Sequence, residues 1–135
     1  MVVVDSSVAL SWCFEDEASP QTDALLDRVR QQGAMVPGLW HVELANVLLQ
    51  AEKRGRLTMA EVAEAITLVS RLRVTVDDET ASRAWREILS TARTEGLTAY
   101  DAAYLELAVR RGLALATVDR ALARAAKRAG VMVLP

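Results

Sequence analysis

The chain has 135 residues, of which 52% are hydrophobic and 25% charged, with a formal net charge of -2. That balance fits one globular domain over residues 1–135 and excludes a disordered, fibrous or polybasic chain. A single cysteine, Cys13, rules out an intrachain disulfide or a cysteine zinc site, and no apolar run nears the roughly 20 residues of a membrane span. A lone thiol, read as a buried apolar group, and the lack of a basic segment ahead of residues 1–4 point to a cytosolic chain without a secretory leader.

The first predicted element is the run Met1-Val2-Val3-Val4, a buried strand that ends at Asp5. Ser19-Pro20 then signals an N-cap and first helical proline, opening a helix that runs to about Gln32 and stops at Gly33. Ala34-Met35-Val36-Pro37 reads as the second strand. Leu44, Val47, Leu48 and Ala51 form the stripe of a helix over about 39–54, closed by Gly55. Thr58 and Glu61 make a capping box for the next helix, whose stripe is Val62, Ile66 and Val69. Val74-Thr75-Val76 is the third strand. Ala81, Ala84, Trp85, Ile88, Leu89 and Ala92 mark a helix that Gly96 ends. Thr98 opens another, through Ala102, Leu105 and Val109 to Gly112. Leu113-Ala114-Leu115-Ala116 is the fourth strand, a helix spans about 119–129, and Val131-Met132-Val133-Leu134 is the fifth strand. Short continuous apolar strands alternating with amphipathic helices predict a parallel sheet covered on both faces, an α/β/α three-layer sandwich.

That architecture gives four distant acids a common address. In an open parallel sheet, ligands bind outside the carboxyl ends of the strands. Asp5 ends the first strand, and Asp119 follows the fourth by two residues after Thr117. Glu43 lies early in the helix after the second strand, and Asp101 lies in the first turn of the helix that leads back into the fourth. With right-handed crossovers, all four meet at one edge. Carboxylates packed together repel unless a cation joins them. Oxygen ligands suit Mg²⁺ or Mn²⁺, which can activate water and stabilise a phosphoryl transition state.

Each acid also has a purely structural role open to it. Asp5 and Asp119 can cap the helices that follow them, Asp101 can close a capping box with Thr98, and Glu43 can be one exposed acid among 18 acidic residues. It is their joint convergence that favours a site. Spacing leaves one ambiguity, because Asp77 and Asp78 follow the third strand and reach the same edge.

At these residues the chain resembles the PIN-domain family, specifically the VapC-like toxins of toxin–antitoxin modules. Val2-Val3-Val4-Asp5-Ser6-Ser7 resembles the family's first motif, and Pro37 followed by Glu43-Leu44-Ala45-Asn46 its second. Thr98-Ala99-Tyr100-Asp101-Ala102-Ala103-Tyr104-Leu105 resembles the third and is the most specific. Leu115-Ala116-Thr117-Val118-Asp119 resembles the fourth. The resemblance implies strand order 3-2-1-4-5, which sends Asp77 and Asp78 to a far edge strand. It also implies Mg²⁺ or Mn²⁺ held by Asp5, Asp101, Asp119 and Glu43, RNA phosphodiester hydrolysis, a homodimer and a cognate antitoxin. The rival within the fold is a binding module without catalytic activity.

Other residues take supporting parts. Ser6 and Ser7 have no base or elbow motif beside them to act as nucleophiles, and Ser6 is expected to support Asp5 instead. Thr117 is placed to orient a carboxylate or a water. His41, the one histidine, is two residues from Glu43 and turned well away from it round the helix, so joint ligation is not expected. Residues 93–135 hold 7 basic and 4 acidic side chains. Among them Arg120, Arg124, Lys127 and Arg128 form a stripe suited to RNA phosphates, or to solvent alone. Trp12, Trp40 and Trp85 are expected in the core or an interface.

Overall fold

The computed structural model describes residues 1–135. Its strands are β1 (Val2–Val4), β2 (Ala34–Val36), β3 (Val74–Val76), β4 (Leu115–Ala116) and β5 (Val133–Leu134). They form one parallel sheet in the order β3-β2-β1-β4-β5. The helices are α1 (Ser6–Ser11), α2 (Pro20–Gln32), α3 (Trp40–Lys53), α4 (Met59–Ser70), α5 (Thr80–Arg83), α6 (Leu89–Glu95), α7 (Ala99–Arg111) and α8 (Arg120–Arg128). A short 3₁₀ turn covers Glu15–Glu17.

The centre of the sheet explains the apolar runs. Val2, Val3 and Val4 are covered on both faces, as a middle strand of a parallel sheet requires. Burying each contributes about 1.5–3 kcal/mol relative to exposure. They join Val36, Leu115, Trp40, Leu107 and Leu122 in one core. The chain moves outward from β1 to β3, then returns across the sheet to β4 and β5. Right-handed crossovers in opposite directions put helices on opposite faces. Accordingly α1, α3 and α4 pack together, as do α6, α7 and α8.

Local signals are realised where expected. Ser19 and Thr22 form a capping box with Pro20 at the start of α2, and Thr58 and Glu61 form another on α4. The last two strands are shorter than their apolar runs, since β4 has only Leu115 and Ala116 and β5 only Val133 and Leu134. The expected helix over 81–92 is not uniform. A π turn at Ala84–Ile88 joins α5 to α6. A π turn takes one more residue than an α turn and changes which side chains share a face. Ile88 and Ala92 stay buried, but Trp85 is 92% exposed. Of the two places expected for Trp85, the core is therefore excluded and an interface is left, whereas Trp40 is fully buried in the core.

Candidate active site

Strand register builds the centre of the site. Val4 pairs with Ala116 and the Asp5 amide donates to Ala116 at 3.1 Å, so Asp5 leaves β1 opposite Thr117. This is the switch point, where the chain's order across the sheet reverses between β1 and β4. Asp5 is 3% exposed. Its Oδ1 accepts from the Ser7 hydroxyl at 2.6 Å and the Val8 amide at 3.1 Å, and its Oδ2 accepts from Thr117. A carboxylate has about four acceptor positions, so three donors leave one to spare. The Val8 bond is an N-cap for α1, and so Asp5 fulfils the structural role while keeping room for a ligand.

Thr117 couples two acids. It donates to Asp5 and accepts from the Asp119 amide at 3.0 Å. Asp119 caps α8 by accepting from the Leu122 amide at 2.8 Å. Ser7 accepts from the Val118 amide at 3.1 Å, a second tie between the ends of β1 and β4. The expected support of Asp5 by Ser6 is not found, because Ser7 makes that bond. The Ser6 hydroxyl faces Tyr104, so of the two adjacent serines only Ser7 supports the first acid.

The other two acids come from helix starts. Asp101 lies in the first turn of α7, where its amide donates to the Thr98 hydroxyl at 3.1 Å. Glu43 lies in the first turn of α3 and accepts at Oε1 from the buried phenol of Tyr104. Tyr104 was not singled out from the sequence. Its signal was a phenol at a core position of an alanine-rich helix, where a buried hydroxyl needs a partner.

The electrostatics tie these groups together. Burial pushes the Asp5 carboxyl up to about 6, outweighing the Ser7, Thr117 and Val8 bonds, and the Asp101 charge adds to the rise. Burial likewise raises Glu43, against the Tyr104 bond and with the Asp101 charge. Asp101 is raised by burial and then by Asp119. None of the four is ion-paired to a lysine or arginine. No three of them bring ligand oxygens within 4.8 Å of one another, so the cluster is open rather than collapsed. Uncompensated oxygen donors with space between them fit a hard divalent ion that retains waters.

A tighter group of acids lies elsewhere. Asp77, Asp78 and Glu79 have oxygens within 4.8 Å of one another beyond the edge strand β3. Arginines already occupy Asp77 and Glu79. Arg110 donates to Asp77 at 2.7 and 3.1 Å and to Glu79 at 3.0 Å, and Arg111 reaches Asp77 at 3.3 Å. The Arg110 bonds hold the Asp77 carboxyl below its usual range. A cation there would have to displace charge-assisted hydrogen bonds.

The remaining candidates separate. Arg120, Arg124 and Lys127 have no ion-pair partner, but Arg128 is paired with Glu95 at 2.8 Å. His41 lies against Trp40, ring edge to face, and lines an apolar groove with Leu44, Leu48, Ile66 and Val69. Cys13 is half-buried, and burial pushes its thiol up to about 11, as expected of an inert core thiol.

The sheet order and an acid-lined switch point define the class, a doubly wound α/β fold with a carboxylate site at the strand ends. The family model described as the PIN domain matches residues 2–128, and the chain belongs to that family. A Ribonuclease VapC3 of Pyrobaculum aerophilum is 27% identical over 122 residues, covering 90% of this chain and 92% of that protein. A Ribonuclease VapC3 of Mycobacterium tuberculosis is 30% identical over 126 residues, covering 92% of this chain and 86% of that protein. The crystal structure of PAE2754 from Pyrobaculum aerophilum matches with a TM-score of 0.71 at 25% identity, over 98% of this chain and 82% of that one. The crystal structure of FitAcB from Neisseria gonorrhoeae gives 0.63 at 20% identity, over 100% and 97%, a likeness of fold alone.

Proposed function

We propose that this chain is a divalent-metal-dependent ribonuclease that hydrolyses RNA phosphodiester bonds and is the toxic component of a toxin–antitoxin pair. The observation that carries the reading is the uncompensated set Asp5, Glu43, Asp101 and Asp119 at the switch point, beside relatives named as ribonucleases. Asp5, Asp101 and Asp119 would hold Mg²⁺ or Mn²⁺ directly or through water, and Glu43 would complete the site. When bound, such an ion supplies an activated water and stabilises charge on the phosphoryl oxygens.

The chain's own residues do the positioning. Ser7 and Thr117 hold the Asp5 carboxylate in one orientation, and Thr117 keeps Asp119 beside it. Tyr104 holds Oε1 of Glu43, which leaves Oε2 to orient a water and take its proton. Arg120, Arg124 and Lys127 begin immediately after Asp119 and suit contact with flanking phosphates, which positions RNA without reading sequence.

The partner follows from the charge of the site. An inhibitor with an arginine among the four acids would pair with them and exclude the metal. The apolar groove between α3 and α4 suits an amphipathic helix of the same inhibitor. The chain is also read as a homodimer, for which the exposed Trp85 is the strongest interface anchor.

The test is purified protein incubated with defined RNAs in chelator, with and without added Mn²⁺, beside Asp5→Asn. Cleavage should require the metal and be lost in the variant. Full cleavage in excess chelator would reject the reading. In cells, the wild-type chain should arrest growth and Asp5→Asn should not.

A further inference from the structure

The two helices that deliver Glu43 and Asp101 also build a surface that the hydrolysis itself does not use. A cleft of about 360 Å³ opens beside Glu43, within the size range of small-ligand sites. Asn46 and Val47 follow Glu43 on α3 by three and four residues, the spacing that puts side chains on one helix face. Val42 and Val47 give the cleft an apolar wall, and both are exposed. Tyr100, the residue before Asp101, also lines the cleft and is 63% exposed. Its ring stacks on no other aromatic side chain, and the Asn46 amide has no hydrogen-bond partner within the chain.

The chemistry of this lining selects its ligand. Glu43 is the one ionisable carboxylate in the wall, and no lysine or arginine lines it, so the cleft does not suit a phosphate. It offers a flat aromatic face, aliphatic side chains and a neutral amide with both donors and acceptors. Those are the groups that bind an unpaired nucleobase, by stacking on the ring and by hydrogen bonds along the base edge.

We propose that the cleft of Val42, Asn46, Val47 and Tyr100 is a nucleobase subsite that seats the base next to the cut phosphate. It rests on the ribonuclease reading and deepens it. Tyr100 supplies the stacking platform and therefore affinity for any base. Asn46 supplies the edge contact and therefore preference among bases. The base sits beside Glu43 while its phosphate lies over the acids, so binding the base sets the register of the strand against the site.

The test uses an RNA oligonucleotide that the wild-type protein cleaves with Mn²⁺, and the same oligonucleotide abasic at the nucleotide beside the cut. For the wild-type protein, loss of the base should lower kcat/KM about tenfold, mainly through KM, the effect of one lost stacking contact. Tyr100→Ala should cleave the intact oligonucleotide about as poorly as the abasic one, the two differing by less than about twofold. Tyr100→Phe should restore the difference. Asn46→Ala should keep the stacking gain but flatten the preference among bases at that position. A Tyr100→Ala chain that still distinguishes the two substrates as the wild type does would overturn the subsite. So would equal losses on both substrates, which would mean Tyr100 acts through Asp101. Sedimentation of Tyr100→Ala covers the other use of an apolar face. Conversion of a dimer to monomer would assign the surface to contact between copies and reject the subsite. If the wild-type protein shows no metal-dependent cleavage, the ribonuclease reading fails with it. Cleavage without base discrimination sinks the subsite alone.

Discussion

Two groups of acids stand beyond the carboxyl ends of the same sheet, and they behave in opposite ways. At the edge strand, Asp77, Asp78 and Glu79 are packed closely, and Arg110, Arg111 and Arg83 pair with Asp77 and Glu79. At the switch point, Asp5, Glu43, Asp101 and Asp119 are farther apart and meet no arginine or lysine. The close group is the more relaxed one, with Asp77 held below its usual range. The open group is the strained one, with Asp5, Glu43 and Asp101 all raised. Proximity of carboxylates therefore does not by itself mark a metal site. The switch-point group holds raised carboxyls with no cation beside them, the charge balance that the proposed metal would correct.

The largest expected effect lies at the edge group. Arg110→Ala would leave Asp77 and Glu106, both buried, without their main cation. Breaking such a pair costs about 3 kcal/mol or more, so the melting temperature should fall by about 10 °C. RNA cleavage per folded molecule should be unchanged. A thermal melt that does not move would show that the network contributes little.

Asp101→Asn should do the reverse. It removes one charge from the open group while Thr98 still caps α7 through the Asp101 amide. Cleavage should fall by at least about a hundredfold, the scale of losing one preorganised electrostatic group. The metal-free melting temperature should stay the same or rise, because mutual repulsion is relieved. Wild-type turnover by this variant would remove Asp101 from the chemistry.

Acidity should separate the groups more finely. Asp5 binds its proton more tightly when folded, since its carboxyl moves from 3.8 up to about 6. Its contribution to stability is greatest below the unfolded value and is lost as pH rises toward the folded one. Asp77 is depressed, so its contribution is present above the unfolded value and is lost as pH falls through the folded one. In chelator, Asp5→Asn should gain on wild type as pH rises from about 4 to about 7, whereas Asp77→Asn should run below and parallel to wild type there and recover its deficit only as pH falls below about 4. Parallel curves for the two variants would mean that the groups do not differ in charge balance.

The smallest effect concerns Tyr104. Tyr104→Phe keeps the ring in the core but removes the donor to Glu43, a loss of about 1–3 kcal/mol for a charged acceptor. Cleavage should drop about tenfold, and the melting temperature should fall by a few degrees. An unaltered rate would show that Glu43 does not depend on this bond.

The sequence made the open group visible for physical reasons. Val2, Val3 and Val4 can only be a buried strand, so Asp5 has to sit at its end, and the helix start at Thr98 places Asp101 at the same edge. Asp77 could not be separated by spacing, because its neutraliser, Arg110, is 33 residues away and meets it only in the fold. Strand order, taken from the family resemblance, was needed to set it apart. The choice of Ser6 over Ser7 was wrong because it depends on how β1 turns into α1, which no pattern in two adjacent serines encodes. Trp85 fitted the apolar stripe of an α-helix, but it lies in the π turn and stands in solvent. Arg128 belonged to the basic stripe by helical period, but Glu95, on another helix, claims it.

The central claim is that the open acids, and not the crowded ones, take the metal. Titration of chelator-treated protein with Mn²⁺, followed by electron paramagnetic resonance of the free ion, tests it without depending on any RNA. The wild-type chain and Asp77→Asn should bind Mn²⁺ alike, and Asp101→Asn should bind far more weakly. Retained binding in Asp101→Asn together with lost binding in Asp77→Asn would contradict the account and move the metal to the edge strand.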